Sequence, residues 1–169
     1  MKKCLFLLFL IALLFCTGCG KDENNYAAPV NFYYIHNEIP FGAESSVIVA
    51  TKRESKGYEN DYVYLVEQYL NGPTTYDCIS PFPAGTMLEE MNWDQNRVQI
   101  VLSPHIATLS GPDLTVACAC LTKTVTELTG ISTVQIRTSN GLLNGSEVLS
   151  LTSDSFLYWD EAGPSDSVD

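Results

Sequence analysis

The sequence predicts an α/β fold of the α+β sandwich kind, with a mixed sheet of about five strands, two helices packed on one face, and the order ββαββαβ. Three observations predict it. Two stretches repeat apolar residues at helical spacing and close on a glycine. Short aromatic or β-branched runs of strand length lie before, between and after them. Turn residues separate each run from the next.

Residues 31–37 (NFYYIHN) are aromatic and read as a strand, and residues 46–53 (SVIVATKR) are β-branched and read as a second. Residues 38–45 between them read as an irregular loop. Residues 60–70 (NDYVYLVEQYL) form the first helix. Tyr62, Leu65, Val66, Tyr69 and Leu70 fall at i, i+3, i+4, i+7 and i+8, the spacing of one buried face. Asn60 is the expected N-cap, and Asp61 suits the positive end of the helix dipole. Asn71-Gly72-Pro73 ends the helix, because glycine takes the left-handed turn and proline cannot continue it.

Residues 69–86 (YLNGPTTYDCISPFPAGT) look chemical at first sight. Their prolines and glycines restrict the backbone, and the stretch holds no lysine and neither usual phosphate-binding glycine pattern. It reads as a stiff connection. Residues 87–93 and 97–103 read as a hairpin across Asp94-Gln95-Asn96, with Val98, Ile100 and Leu102 alternating onto one face. Residues 112–128 (PDLTVACACLTKTVTEL) form the second helix, whose buried face is Leu114, Ala117, Cys118, Leu121, Val125 and Leu128. Gly130 terminates it, and residues 131–137 (ISTVQIR) are a further strand. Asn140-Gly141 is a turn pair, and the VLSL and FLYW stretches are candidates for an edge strand.

The ends carry different information. Lys2 and Lys3 precede a short apolar run, residues 4–16, in the layout of a secretory signal and well short of the roughly 20 residues that span a membrane. Cys16-Thr17-Gly18-Cys19 follows, small residues directly before a cysteine, which is the pattern of a bacterial lipobox. The expected chemistry is diacylglyceryl transfer to the Cys19 thiol and cleavage before it. Residues 1–18 are then a lipoprotein signal peptide, residues 19–30 a polar tether, and residues 160–169 an acidic, disordered tail. Two acyl chains hold firmly where one holds marginally, at roughly 0.8 kcal/mol per buried methylene. The expected place is the outer face of the cell membrane, with the membrane itself as one partner through the lipid on Cys19.

Nine Lys and Arg against 20 Asp and Glu give a net charge of −11. Such a surface lacks the clustered cations that nucleic acid requires, so no nucleic-acid partner is expected. With Cys4 and Cys16 in the signal and Cys19 lipidated, Cys78, Cys118 and Cys120 remain, an odd number that makes no disulfide framework. Cys118 and Cys120 point in different directions on a helix. They read as small buried apolar residues, and a bridge from Cys78 to one of them is the alternative.

No stretch makes an active site. Ser103 and His105 could form a nucleophile pair, but two positions apart without a G-x-S-x-G elbow is not triad geometry. His36 reads as a strand-end residue. Neither histidine stands in H-E-x-x-H and no C-x-x-C occurs, so zinc lacks its ligand spacing. Asp154, Asp160, Glu161, Asp166 and Asp169 lack EF-hand spacing, and Glu89, Glu90 and Asp94 read as ordinary hairpin carboxylates. No cofactor, metal or catalytic residue is expected. Tyr58 and Tyr64 fall off the buried helix face and are candidates for contact with a partner.

Taken in order, Leu70-Asn71-Gly72-Pro73, Pro83-Ala84-Gly85-Thr86, Leu102-Ser103, the Leu/Thr-rich helix from Leu121-Thr122 to Leu128, Gly130-Ile131 and Val134-Gln135-Ile136 resemble the GerMN domain, the sporulation and spore germination domain. The likeness runs from about residue 31 to residue 137, within a domain expected over residues 31–159. It implies an extracytoplasmic α/β domain, often lipid-anchored, that acts in assembly or binding through a protein partner or self-assembly, with no catalytic residues to carry over. Some members carry two copies in tandem, where one is seen here. Two other readings remain: a lipoprotein sensor subunit that binds a small ligand or a membrane kinase partner, and an envelope hydrolase.

Overall fold

The computed structural model describes residues 28–38 and 47–156. Its strands are β1 (Pro29–His36), β2 (Ile48–Glu54), β3 (Cys78–Ile79), β4 (Leu88–Trp93), β5 (Arg97–Leu102), β6 (Thr133–Thr138) and β7 (Leu149–Thr152). Its α-helices are α1 (Tyr62–Leu70) and α2 (Gly111–Thr129), and short 3-10 turns follow β5 and β7. The mixed α/β class and the order of the longer elements match the sequence reading. The single sheet does not. The strands divide into a three-stranded sheet, β2-β1-β3, and a four-stranded sheet, β4-β5-β6-β7.

The division has a local cause. β1 pairs along its whole length with β2, but on its other side only Ile35 and His36 meet β3. Ser80-Pro81-Phe82-Pro83 follows β3, and proline can neither donate to a ladder nor extend the strand. The remaining flank of β1 is taken by α2, and the Tyr33 amide donates to the Thr124 hydroxyl at 3.1 Å. A helix side chain thus receives an amide that a strand would otherwise satisfy.

In the second sheet β5 and β6 are parallel, joined by α2 as the crossover that parallel strands require. The β4–β5 hairpin lies on one side, with an irregularity between Leu88 and Glu90, and β7 lies on the other. β7 is the edge strand expected from VLSL.

α2 packs on β1 of one sheet and on β6 and β7 of the other. It is therefore buried on more than one stripe. Leu114, Ala117, Cys118, Leu121 and Val125 are buried as expected, and so are Ala119, Cys120, Thr122 and Thr124. Gly130 closes the helix at φ 70°, a left-handed conformation that glycine adopts without a Cβ clash, and its N–H donates to Thr126 O at 2.8 Å.

α1 buries Leu65, Val66 and Tyr69, with Tyr62 and Leu70 half-buried. Its N-cap is Asp61, not Asn60: the Asp61 carboxylate accepts from the Tyr64 amide at 3.0 Å. Both residue types cap well, and the sequence alone does not choose between neighbours. The Arg53 guanidinium donates to Gln68 O and Gly72 O, each at 3.1 Å, which satisfies carbonyls at the negative end of α1.

Tyr69 locks α1 to β1. Its hydroxyl donates to Tyr33 O at 2.9 Å, and the Tyr34 hydroxyl donates to Tyr69 O at 2.9 Å. The Tyr34 and Tyr69 rings stack at 5.0 Å, with Phe32 and Phe82 edge-on to Tyr69. Burial raises both phenols well above their ordinary value of 10.

Leu121 is fully buried, and Leu121→Ala is expected to cost about 2–5 kcal/mol in denaturant unfolding. A loss within about half a kcal/mol would show that α2 is not the packed centre. The sign of the phenol shifts is also fixed. Unfolded tyrosines release protons near pH 10 while the folded ones hold theirs, so the unfolded state gains as pH rises. Stability is therefore expected to fall from about pH 10 upward, more weakly in a Tyr34→Phe variant. Thermal unfolding between pH 8 and 11 measures it, and a flat profile would contradict the buried phenols.

Candidate functional site

The Ser103/His105 pair is real in geometry and structural in role. Ser103 Oγ lies 3.2 Å from His105 Nδ1, but it also accepts from the Met87 amide at 3.0 Å and reaches Gly85 O at 3.3 Å. The Ser103 amide donates to Met87 O at 2.9 Å. The serine is buried, so its oxygen ties the end of β5 to the turn before β4 and does not face solvent. Gly85 sits at φ 86°, and a Cβ there would stand 3.3 Å from His105 Nε2. The glycine in Pro83-Ala84-Gly85-Thr86 thus serves both the left-handed turn and the close approach of the ring. His36 Nδ1 accepts from the Glu38 amide at 3.2 Å, a strand-end role.

The other candidates separate likewise. Asp94 accepts from the Asn96 and Arg97 amides and pairs with Arg97 at 3.4 Å, so it shapes the hairpin. Glu90 pairs with Arg137 at 3.4 Å across the sheet. Cys78, Cys118 and Cys120 are free and buried, with no bridge from Cys78. Burial pushes the Cys118 and Cys120 thiols up to about 12, which keeps them protonated and unreactive at neutral pH. No cluster among the described residues could hold a metal ion. Tyr58 is half-exposed and rests against Tyr64 at 4.3 Å between ring centres. Cys19, Asp160, Glu161, Asp166 and Asp169 lie outside the described residues.

Two surface grooves stand out. One, of about 550 Å³, is mostly apolar and includes Ile35, Val47, Pro81, Phe82, Leu109 and Val116. Ile35 stands opposite Ile48 on one side and Ile79 on the other, so three isoleucines form a row across the first sheet. The second groove, of about 400 Å³, runs between the end of β2 and α1 and includes Lys52, Arg53, Lys56, Tyr64 and Gln68. Sequence reading missed both. The first joins residues far apart in the chain, and the second became visible only once Lys52, Arg53 and Lys56 faced a helix.

Among known families, the model of Germane, sporulation and spore germination, matches residues 31–143. The chain belongs to the Germane family. This GerMN assignment is mirrored in the fold. The first GerMN domain of the sporulation protein GerM from Bacillus subtilis superposes with a TM-score of 0.58 at 16% identity, over 75% of this chain and 98% of that one. The tandem GerMN domains of the same protein give a TM-score of 0.56 at 16% identity over 81% of this chain. The chain spans about half, 49%, of that tandem structure. Curated proteins give no match.

If Ser103 is a strut, Ser103→Ala removes a partner of the Met87 amide and lowers stability by about 0.5–1.5 kcal/mol. Urea unfolding of the variant measures this. An unchanged midpoint, together with loss of turnover on an ester such as p-nitrophenyl acetate, would instead make Ser103 a nucleophile.

Proposed function

We propose that this chain is a lipid-anchored, extracytoplasmic GerMN module that acts by binding or assembly in sporulation or spore germination. The match to Germane over residues 31–143 carries the reading. Both GerM structures that it resembles come from a sporulation protein, which agrees with it. The anchor rests on the sequence Cys16-Thr17-Gly18-Cys19 behind Lys2, Lys3 and an apolar run. No helix among the described residues is long and apolar enough to cross a membrane. From Cys19 to β1 there are enough residues for roughly 30 Å of reach, which lets a folded domain stand clear of a lipid surface.

Binding or assembly is favoured over hydrolysis by the geometry at Ser103, where the hydroxyl is buried and committed to backbone partners. Both grooves open on the surface rather than enclosing a small molecule, which favours a macromolecular partner over a small ligand.

Cys19→Ala is the test. The native chain should fractionate with membranes and carry the mass of a diacylglyceryl group on a chain that begins at Cys19. The variant should lose that increment and its normal processing, and a chain beginning at Gly20 should not bind phosphatidylglycerol vesicles. A native mass without the lipid increment, or firm vesicle binding by the chain from Gly20, would end the anchored reading. Sporulation and germination counts in a strain lacking the protein then test the biological part.

A further inference from the structure

The outward side of β2 from Ala50 to Glu54 carries a combination found nowhere else among the described residues. His36 donates to Val47 O at 2.9 Å, and the register pairs Tyr34 with Val49, Phe32 with Thr51 and Val30 with Arg53. Hydrogen-bonded pairs alternate along an antiparallel ladder. Val49, Thr51 and Arg53 therefore turn their amides and carbonyls toward β1, and Ala50, Lys52 and Glu54 turn theirs outward. β2 is the edge of its sheet, and among the described residues no strand pairs with that outward side. The outward residues are Ala50, Lys52 and Glu54, so the edge is open at Ala50 and guarded further along by charges, which a guest strand has to match.

Charge says what kind of strand fits. Lys52, Arg53 and Lys56 are half of the cations in the described residues; Arg97, Lys123 and Arg137 are scattered elsewhere. Arg97 and Arg137 are matched to carboxylates, and Lys123 lies over the Tyr33 ring. The three at the end of β2 instead line the groove beside α1, where Glu54 is the one carboxylate among the described residues. Arg53 is held there by two carbonyls and by the Phe32 ring, 5.3 Å below its guanidinium. On an otherwise acidic chain, this is a local positive site next to an open edge.

We propose that the β2 edge is a strand-addition site for an extended, acidic segment of another polypeptide. The main chain of the guest pairs with Ala50 and Lys52. Its side chains alternate, one set lying over Ala50 and Lys52, the other falling into the groove where Lys56 and Arg53 meet carboxylates. The proposal rests on the reading of this domain as a binding module and names its surface. Its failure would leave the anchor at Cys19 untouched.

The test uses the whole chain and two capped nine-residue peptides, each alternating threonine and valine, one ending in three glutamates and the other in three lysines. The Ala50 and Lys52 amides should exchange quickly in the chain alone and about tenfold or more slowly with the glutamate peptide. Added salt should weaken the effect, and the lysine peptide should not produce it. Ala50→Pro removes an outward amide without costing an internal bond, so the fold should persist while binding is lost. Lys52→Glu should weaken the glutamate peptide without touching the backbone. Equal response to both peptides, full binding by either variant, or slow exchange of the two amides in the chain alone would overturn the proposal. The last result would mean that a second copy or the chain's own acidic segment already occupies the edge.

Discussion

The structure depends on α2 lying where a strand would otherwise pair with β1. The Tyr33 amide needs an acceptor, and Thr124 supplies it from the helix. A strand edge left bare inside a core would cost the desolvation of each unpaired amide, on the order of 1–3 kcal/mol apiece. With the helix in that place, the first sheet stops growing and the second must begin elsewhere. α2 then becomes the layer between the two sheets, buried on both flanks. Small residues make this possible: Ala117, Ala119, Cys118 and Cys120 let backbones approach, and Leu121 and Val125 fill the space. The arrangement has a cost. The buried Thr122 and Thr126 hydroxyls find no hydrogen-bond partner among the described residues.

Tyr69 is the second constraint, and it follows from the first. Once α2 holds one flank of β1, α1 must seal the inner face, and it does so through paired tyrosine–carbonyl bonds in opposite directions. Each hydroxyl is satisfied by backbone of the other element, so neither α1 nor β1 can slide without losing both bonds. Arg53 completes the clamp from β2 to the end of α1. The result is a three-part unit, β2-β1-α1, whose outward β2 side has no strand partner among the described residues.

Much of this was legible in the sequence, for identifiable reasons. The helices announced themselves through apolar spacing and through Gly72 and Gly130. The β4–β5 hairpin showed in the alternation of Val98, Ile100 and Leu102, and the family likeness in six short motifs in a fixed order. The division into two sheets was not legible. It turns on a two-residue strand, Cys78–Ile79, too short for any period, and on one threonine that looks like any other on a helix. The one-stripe reading of α2 failed for a related reason: Thr122 and Thr124 count as polar, and Ala119 and Cys120 fall off the single stripe, though all four are buried. At the site level, the contact between Ser103 and His105 depends on the turn after β5 and does not follow from their spacing in the sequence. The grooves stayed hidden because each assembles residues from separate elements.

The direction of β1 ties these features to the point where the chain enters the fold. Asn31 near its start reaches the Glu127 carboxylate late in α2, while Ile35 near its end lines the apolar groove with Val116 early in α2. β1 and α2 therefore run in opposite senses, and the groove stands roughly 20 Å along the strand from the residue where the chain enters the fold. A chain tethered through residues upstream of Pro29 is held by one pole. The apolar groove occupies the other pole, and the β2 edge runs lengthwise between them. The chain enters the fold at Pro29 beside the basic end of β2, where Glu54 and Arg53 stand opposite Pro29 and Val30, so one groove adjoins the entry point and the apolar one lies a strand's length from it.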